Sequence, residues 1–546
     1  MQFEALEIEN REDQSMNMSE VMARYLRAAG VDVMFGYPGD PSVELLEGCR
    51  NVGMDFILGR REGTAGLMAQ AYGMLTGKPG VALSTLGPGS TNLVNAVANA
   101  YLDRTPMIAI SGQIDTKRLP TFTHQVVDQH SLFTPVSKWA TEIAPHTVGH
   151  VMRKAHRIAM APRKGPVHLT TPADYVGAAA LDDEIKLPPV DGIGHGVVVY
   201  GEDADPVGLI NGAKRPVVLY GISAMQGNAG AEIAALSEKI GAALVSSPMA
   251  KGTVAETHPL FAGVLDMACN AQMWDLVRSA DLIIAAGFDG VELIKAWDVP
   301  APVLHIDNVP NTDQIYESPV EMVGSISHIL ASLVEDVKSA DGFGAKAIKA
   351  HRDELMAAYE DGRVSGVLNP SDVIRVAKAD APADTIVTAD VGSHKLLVGQ
   401  GWTTHNPRSC LNSNGLSSMG FSLPAAMVAK YLNPDRNVIC FTGDGGLAMV
   451  QSELRLAASL GLGLKVVVFC DNSLNRIELK QMARQYPSTG TVIEDTDVVK
   501  MAESMACDGI MVETEQALAD ALSRPVSNTP LVIGARIDPK QYWTQF

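Results

Sequence analysis

Residues Arg436–Ser473 read RNVICFTGDGGLAMVQSELRLAASLGLGLKVVVFCDNS, which scans as strand, Gly-rich turn, helix, Gly stop and strand. Two apolar, β-branched runs joined by one helical crossover make a βα unit on a parallel sheet. Asp444 and Asp471 then fall at the carboxyl ends of its two strands, where ligands of open α/β sheets bind. Gly443, Gly445 and Gly446 let a ligand approach the backbone, and the turn amides with the helix N-terminus favour an anion such as phosphate. Two carboxylates beside a phosphate site call for a cation, and oxygen ligands suit Mg²⁺. Taken alone, GDGG is equally well read as a tight turn before a helix. A dinucleotide fingerprint fits less well, because the third Gly is missing.

The same alternation extends toward both ends of the chain. VDVMFG, MDFIL, GVALSTLG and PMIAISG read as strands in the first third, and RPVVLYG, AALVSS, ADLIIAAG and APVLHID in the middle. DTIVTAD, NVICFTG, LKVVVFCD and PLVIGARI follow in the last third. The expected fold class is α/β, with three doubly wound parallel-sheet domains over 15–184, 197–335 and 365–546. The Pro/Gly-rich stretch Ile185–Gly196 reads as a linker, residues 334–361 as a solvated helical connector, and MQFEALEIENREDQSM as a frayed N-terminus.

With 43 Lys+Arg against 62 Asp+Glu, the 546 residues carry a net charge of −19, and 46% are hydrophobic. Global disorder is excluded. An acidic surface repels phosphate backbones and anionic lipids, so neither nucleic acid nor membrane is an expected partner. No apolar run is long enough for a membrane helix and the acidic start is unlike a signal peptide, so the expected location is cytoplasmic. The six cysteines form no CxxC pair and read as buried thiols.

The Arg436–Ser473 segment resembles the cofactor signature of thiamine-diphosphate-dependent enzymes, a GDG followed by an Asn or Asp pair, in the variant of acetolactate-synthase-like members. FGYPG (35–39), REGTAG (61–66), TLGPGSTN (85–92) and VSKW (136–139) resemble the family's pyrimidine-binding domain. ADVGSH (389–394) and GLSSMGFSLPAA (415–426) resemble its diphosphate-binding domain, with the central domain between. The resemblance implies that Asp444 and Asp471 ligate Mg²⁺ through their side chains and Ser473 through its carbonyl, with Asn472 an alternative. Cys470 stands where the family usually has Asn.

Glu62 could simply be a surface residue opening a helix beside Arg60 and Arg61. By resemblance it is the carboxyl that hydrogen-bonds the aminopyrimidine ring and turns the cofactor's own amino group into a base. Ser418 and Met419 match the cofactor-binding stretch, with Met419 the bulky residue that holds the cofactor bent, although a Met there is also ordinary core. Gly392, Ser393 and His394 match the diphosphate-side contacts, and Pro38, Pro88 and Asn92 the pyrimidine-side wall. Gln125 matches the glutamine on the substrate side. His124 stands where synthases commonly have Phe, and Val126 where they have Glu; His124 is either an acid/base or carboxylate-binding group or a structural loop histidine. Leu474, Ile477 and Glu478 match the helix lining the substrate pocket.

The expected activity is decarboxylation of a 2-oxo acid such as pyruvate and transfer of the acyl carbanion to a carbonyl acceptor, with thiamine diphosphate and Mg²⁺ as cofactors. FAD is not expected, because AAGFDGVELIKAW lacks the arginine that FAD-binding relatives place beside FD. The resemblance implies a homodimer or homotetramer. The alternatives are a 2-hydroxyacyl-CoA or oxalyl-CoA lyase or decarboxylase, and a simple decarboxylase or benzaldehyde-lyase-like carboligase. A nicotinamide oxidoreductase and a non-catalytic binding protein rank below these.

Overall fold

The computed structural model describes residues 16–181, 184–190, 196–202, 204–526 and 528–546. The stretch expected to fray lies outside them apart from Met16, as do residues 191–195 of the linker. The first sheet holds β1 (Val33–Tyr37), β2 (Asp55–Leu58), β3 (Gly80–Ser84), β4 (Met107–Gln113), β5 (Trp139–Glu142) and β6 (Pro166–Pro172) in the order β2-β1-β3-β4-β6-β5. The second holds β7 (Val198–Tyr200), β8 (Pro216–Tyr220), β9 (Ala243–Ser246), β10 (Phe261–Val264), β11 (Leu282–Ala286), β12 (Val303–Asp307) and β13 (Val320–Val323) in the order β10-β9-β8-β11-β12-β13-β7. The third holds β14 (Ile386–Ala389), β15 (Cys410–Asn412), β16 (Val438–Gly443), β17 (Lys465–Cys470), β18 (Asp508–Val512) and β19 (Leu531–Arg536) in the order β15-β14-β16-β17-β19-β18. Pairing is parallel throughout except at the edge, where β7 runs antiparallel to β13. All the expected strands form. The connector differs from expectation: Gly344–Glu360 is a helix whose Ile348, Leu355 and Tyr359 are buried, so one of its faces packs instead of being solvated throughout. Among the described residues no helix is long and apolar enough to cross a membrane, and all six cysteines are free and buried.

Strands β16 and β17 explain why their sequences are apolar without a break. Ile439, Phe441, Val467 and Phe469 join one hydrophobic cluster together with the central sheet's Val217, Leu219 and Ile284. Val438, Cys440, Val466 and Val468, one residue out of phase, join another that contains Val33, Phe35 and Leu67 of the N-terminal unit. Because side chains alternate across a strand, each face of the third sheet is buried toward a different neighbour.

A buried polar cluster fixes the N-terminal unit against the third. The Asp103 carboxylate, fully buried, accepts from the backbone N–H of Asn414 (3.0 Å) and Gly415 (2.7 Å) and from the side-chain amides of Gln70 (2.9 Å) and Asn99 (3.3 Å). Ser413 Oγ donates to Asn99 Oδ1 at 2.8 Å. Removing the carboxylate strands two backbone donors in a dry site. Asp103→Ala is therefore expected to destabilise the fold by roughly 2–5 kcal/mol, read as a lowered urea midpoint, with Asp103→Asn losing less.

Candidate active site

The turn after β16 and the turn after β17 meet. Asp444 opens the helix Asp444–Val450; its Oδ1 accepts from Gly445 N–H at 2.8 Å and its Oδ2 from Asn472 N–H at 2.8 Å, which ties the two strand ends together. Asn472 adopts a left-handed conformation (φ 57°), and Asp471 Oδ1 accepts from Ser473 N–H at 3.3 Å. Burial and then the neighbouring Asp444 charge push Asp471 up to about 7, and burial raises Asp444 as well. A strand of antiparallel bridging, Leu474 N–H to Thr491 O at 2.7 Å and Ile493 N–H to Asn472 O at 2.9 Å, holds the second turn from above. The crossover is two helices, not one: the chain breaks at Gln451 and Ser452, and Glu453 turns into the N-terminal unit, accepting from Arg60 N–H at 2.8 Å.

Beside this corner Gly392 (φ 152°) caps the helix Ser393–Gly401. A Cβ at Gly392, whose φ of 152° already disfavours a side chain, would stand 2.6 Å from His394 Cε1, and one at Gly445 would stand 2.7 Å from Ile493 Cδ1, which would have to move. His394 is buried and stacked on Phe469 with centroids 5.4 Å apart; burial lowers its pKa to about 4, and its Nε2 has no partner. The buttress behind these loops is Asp390. Its carboxylate accepts from Val391 N–H (2.7 Å), Gly420 N–H (2.9 Å), Ser422 Oγ and Thr442 Oγ1 (both 3.2 Å). Ser393 Oγ donates to Asn475 Oδ1 at 2.9 Å, joining the loop after β14 to the one after β17.

Gly392, Ser393, His394, Met419, Gly443, Asp444, Gly445, Gly446, Asp471, Ser473, Leu474 and Ile477 together line one cavity of about 650 Å³. Another part of its wall comes from the central unit, with Asp266, Met267, Cys269 to Gln272, Ile294 and Lys295, and from Tyr542 and Thr544 to Phe546. Sequence reasoning missed this wall, Asp390 as a buttress, and Asn475. ADVGSH contained Asp390, whereas nothing in the central segment marks it in sequence. Ser418 does not line the cavity: its Oγ accepts from Asn95 Nδ2 of the N-terminal unit at 2.8 Å. Glu478 accepts from Ser473 Oγ at 2.5 Å.

The remaining candidates gather elsewhere, at the carboxyl edge of the first sheet, and none of them lines that cavity. Glu62 opens the helix Glu62–Thr76 and is buried, with Oε2 accepting from Asn92 Nδ2 at 3.1 Å, so it is not the surface residue of the ordinary reading. Pro88 begins the next helix, and Gly87 lies against Gln125, whose Cβ would be 2.9 Å from a Gly87 side chain. Gln125 (φ 58°) and His124 are exposed, and Pro38 is partly so.

The crevice of the central sheet is filled by the protein itself. Glu292, buried, accepts through Oε2 from Ile222 N–H (3.0 Å) and Asp289 N–H (3.1 Å), and Ser247 Oγ donates to its Oε1. Asp289, the Asp of FD, is paired with Arg104 (2.8 Å) and Arg163 (3.2 Å) of the N-terminal unit.

Three sequence models of thiamine pyrophosphate enzymes match the chain: the N-terminal TPP binding domain over residues 16–132, the central domain over 204–333 and the C-terminal TPP binding domain over 390–535. Relatives run almost end to end. The probable acetolactate synthase large subunit of Methanococcus aeolicus is 29% identical, covering 96% of this chain and 92% of its own length. The acetolactate synthase isozyme 1 large subunit of Escherichia coli is 29% identical over 96% of this chain and 94% of its own. The acetolactate synthase of Bacillus subtilis is 26% identical over 95% and 93%.

Asp390→Ala leaves the amides of Val391 and Gly420 without their acceptor. Amide exchange across 391–394 and 417–420 is expected to quicken selectively, relative to the β16 and β17 amides, as measured by hydrogen–deuterium exchange.

Proposed function

The chain belongs to the thiamine pyrophosphate enzymes as an acetolactate-synthase-like member, and we infer from its site that it decarboxylates a 2-oxo acid such as pyruvate and hands the acyl unit to a carbonyl acceptor. The observation that carries this reading is the corner where Asp444 and Asp471 converge beside the glycine turns. The donor set fits a divalent cation: two half-buried carboxylates with a carbonyl at Ser473 are hard oxygen ligands. The turns at Gly392 and Gly445 fit a diphosphate, since neither takes a side chain freely and the buried His394 Nε2 lacks a partner. Asp444, Asp471 and Ser473 would thus hold Mg²⁺, and Gly392, Ser393, His394, Gly443, Gly445 and Gly446 the diphosphate. When bound, thiamine diphosphate supplies a nucleophilic carbon and an electron sink for decarboxylation.

Met419 and Leu474 give the cofactor its apolar support. Glu62 would hydrogen-bond the edge of the pyrimidine, with Asn92 Nδ2 fixing its carboxyl group, and Pro38 and Pro88 would form the adjoining wall. Gln125 and His124, exposed on their loop, face the substrate side. Since the Glu62 cluster and the Asp444 cavity are separate within one chain, a second copy brings them together, giving a homodimer or a homotetramer built from it. The exposed Tyr37, Leu416, Met449, Ile477, Tyr486 and Val492 supply apolar surface for such contact. The carboxylate of Glu292 in the central crevice, seated on the amides where a nucleotide phosphate would bind, supports a central domain without FAD. A cytoplasmic location completes the reading.

Carbon dioxide release from pyruvate with Mg²⁺ and thiamine diphosphate, with products identified, tests it. Acetolactate is the expected product; an aldehyde would move the activity to a simple decarboxylase, and no cofactor-dependent release would sink the reading. Glu62→Gln should lower the rate by about 10²- to 10⁴-fold while cofactor still binds. Asp444→Ala and Asp471→Ala should abolish Mg²⁺-dependent cofactor binding in equilibrium dialysis.

A further inference from the structure

A groove of about 460 Å³ lies where the three units meet, and it shares no described residue with the cavity at Asp444. Thr76 comes to it from the first unit, Asn228 from the central one, and Arg408, Asn433 and Arg436 from the third. Among the described residues no carboxylate lines it, in a chain whose net charge is −19. Arg408 is half-buried and sits in left-handed backbone (φ 60°), a conformation that a bulky side chain rarely takes. Its guanidinium meets no carboxylate and makes no hydrogen bond among the described residues, and burial lowers its pKa with no anion opposing the shift. Arginine stays protonated even so.

The neighbouring groups shape the groove without neutralising Arg408. The helices Glu62–Thr76 and Ser422–Leu432 both end there, and their carbonyl ends carry only about half an elementary charge each. Arg408 Nη2 lies 3.2 Å from where a Gly77 Cβ would stand, beside the first of those ends, yet no carbonyl accepts from it. Arg436 donates through Nε to Asp384 O at 2.8 Å and through Nη2 to Ser409 Oγ at 3.1 Å, which leaves its Nη1 without a partner. The Asp384 carboxylate stands 3.9 Å from Arg436 Nε and is largely exposed. Lys430 Nζ donates to Pro434 O (2.8 Å) and Arg436 O (2.9 Å), so the turn that carries Asn433 and Arg436 is held in place. The side-chain amide of Asn228 is exposed and unpaired among the described residues. A partly desolvated guanidinium beside a second cation is costly unless an anion joins them.

We propose that this groove binds a small organic phosphate, with the phosphoryl group held by Arg408 and Arg436 and the carbon body laid against Leu75, Pro407 and Leu432. A phosphate monoester carries about 1.5 to 2 negative charges near pH 7 and three acceptor oxygens, which matches two guanidinium groups with N–H donors to spare. A monocarboxylate would neutralise only one of them. Leu75, Pro407 and Leu432 line the same groove and give an apolar body something to cover, which inorganic phosphate lacks. The acidic charge of the rest of the chain opposes a polyanion such as a nucleic acid, so the fitting ligand is small. Each of the three units supplies part of the lining, so an occupant clamps them together.

The test pairs binding with stability on the full-length protein. Phenyl phosphate, inorganic phosphate and phenol are titrated calorimetrically into wild type, Arg408→Met and Arg408→Lys, with Mg²⁺ and thiamine diphosphate in excess so that the Asp444 cavity offers no competing phosphate site. Wild type should bind phenyl phosphate more tightly than inorganic phosphate and phenol hardly at all. Arg408→Met should weaken phenyl phosphate by roughly 10- to 100-fold, and Arg408→Lys should recover part of the loss. Without phosphate, the urea midpoint of Arg408→Met should equal or exceed that of wild type, because a desolvated charge has been removed. Phenyl phosphate should raise the wild-type midpoint by mass action and leave that of Arg408→Met nearly unchanged. No phosphate binding by wild type, or an unchanged affinity in Arg408→Met, overturns the proposal. A lower phosphate-free midpoint in Arg408→Met overturns it too, since Arg408 would then serve the helix end at Gly77, and equal affinities for the two phosphates would overturn the apolar part of the site.

Discussion

Two carboxylates cannot both stay ionised at the ends of adjacent buried strands unless something positive sits with them. Asp444 and Asp471 are held in that arrangement by backbone, through the bond from Asn472 N–H to Asp444; burial raises both, and the Asp444 charge raises Asp471 further. Much of the surrounding structure keeps the two in place. Asp390 ties the loop after β14 to Gly420, Ser393 reaches Asn475, and the 491–493 segment braces the second turn. The pairing of the two carboxylates is thus built into the fold before any substrate is considered.

How much of this was legible follows from how each feature is encoded. Strands buried on both faces leave long apolar runs, and β16, β17 and β11 are visible for that reason. Short edge strands leave little trace: β7 is exposed at all its residues and β15 is only Cys410–Asn412. The corner of Asp444 and Asp471 was readable because its residues are local to two turns. Ser418 and Met419 are neighbours in one loop yet face different sides, Met419 into the cavity and Ser418 toward Asn95, which sequence order alone does not show. The central wall escaped because Asp266 and Cys269 reach it through left-handed backbone (φ 60° and 58°), a conformation that side-chain type does not announce outside Gly and Asn.

In the central sheet the backbone amides that follow β8 and β11 are taken up by one of the protein's own side chains. Glu292 accepts the two amides at the ends of β8 and β11, and the arginines of the first unit neutralise Asp289 beside it. Burial raises Glu292 to about 8, so the plug is held by hydrogen bonds and is not dependent on its charge. The central unit also shapes the cavity, since the loop Asp266–Cys269 contributes to its wall and is tied to the rest through Ala268 N–H to Leu396 O (3.1 Å) and Cys269 N–H to Gln545 O (3.0 Å).

The split phase of β16 and β17, with alternate side chains committed to different hydrophobic clusters, has a bearing on modularity. The three units look like beads that evolution or an engineer might shuffle, yet the last one has no free face to present to a new neighbour. Cutting it out would lay bare two apolar surfaces at once, and a graft would have to match both. Recombination at these boundaries is therefore constrained on two sides.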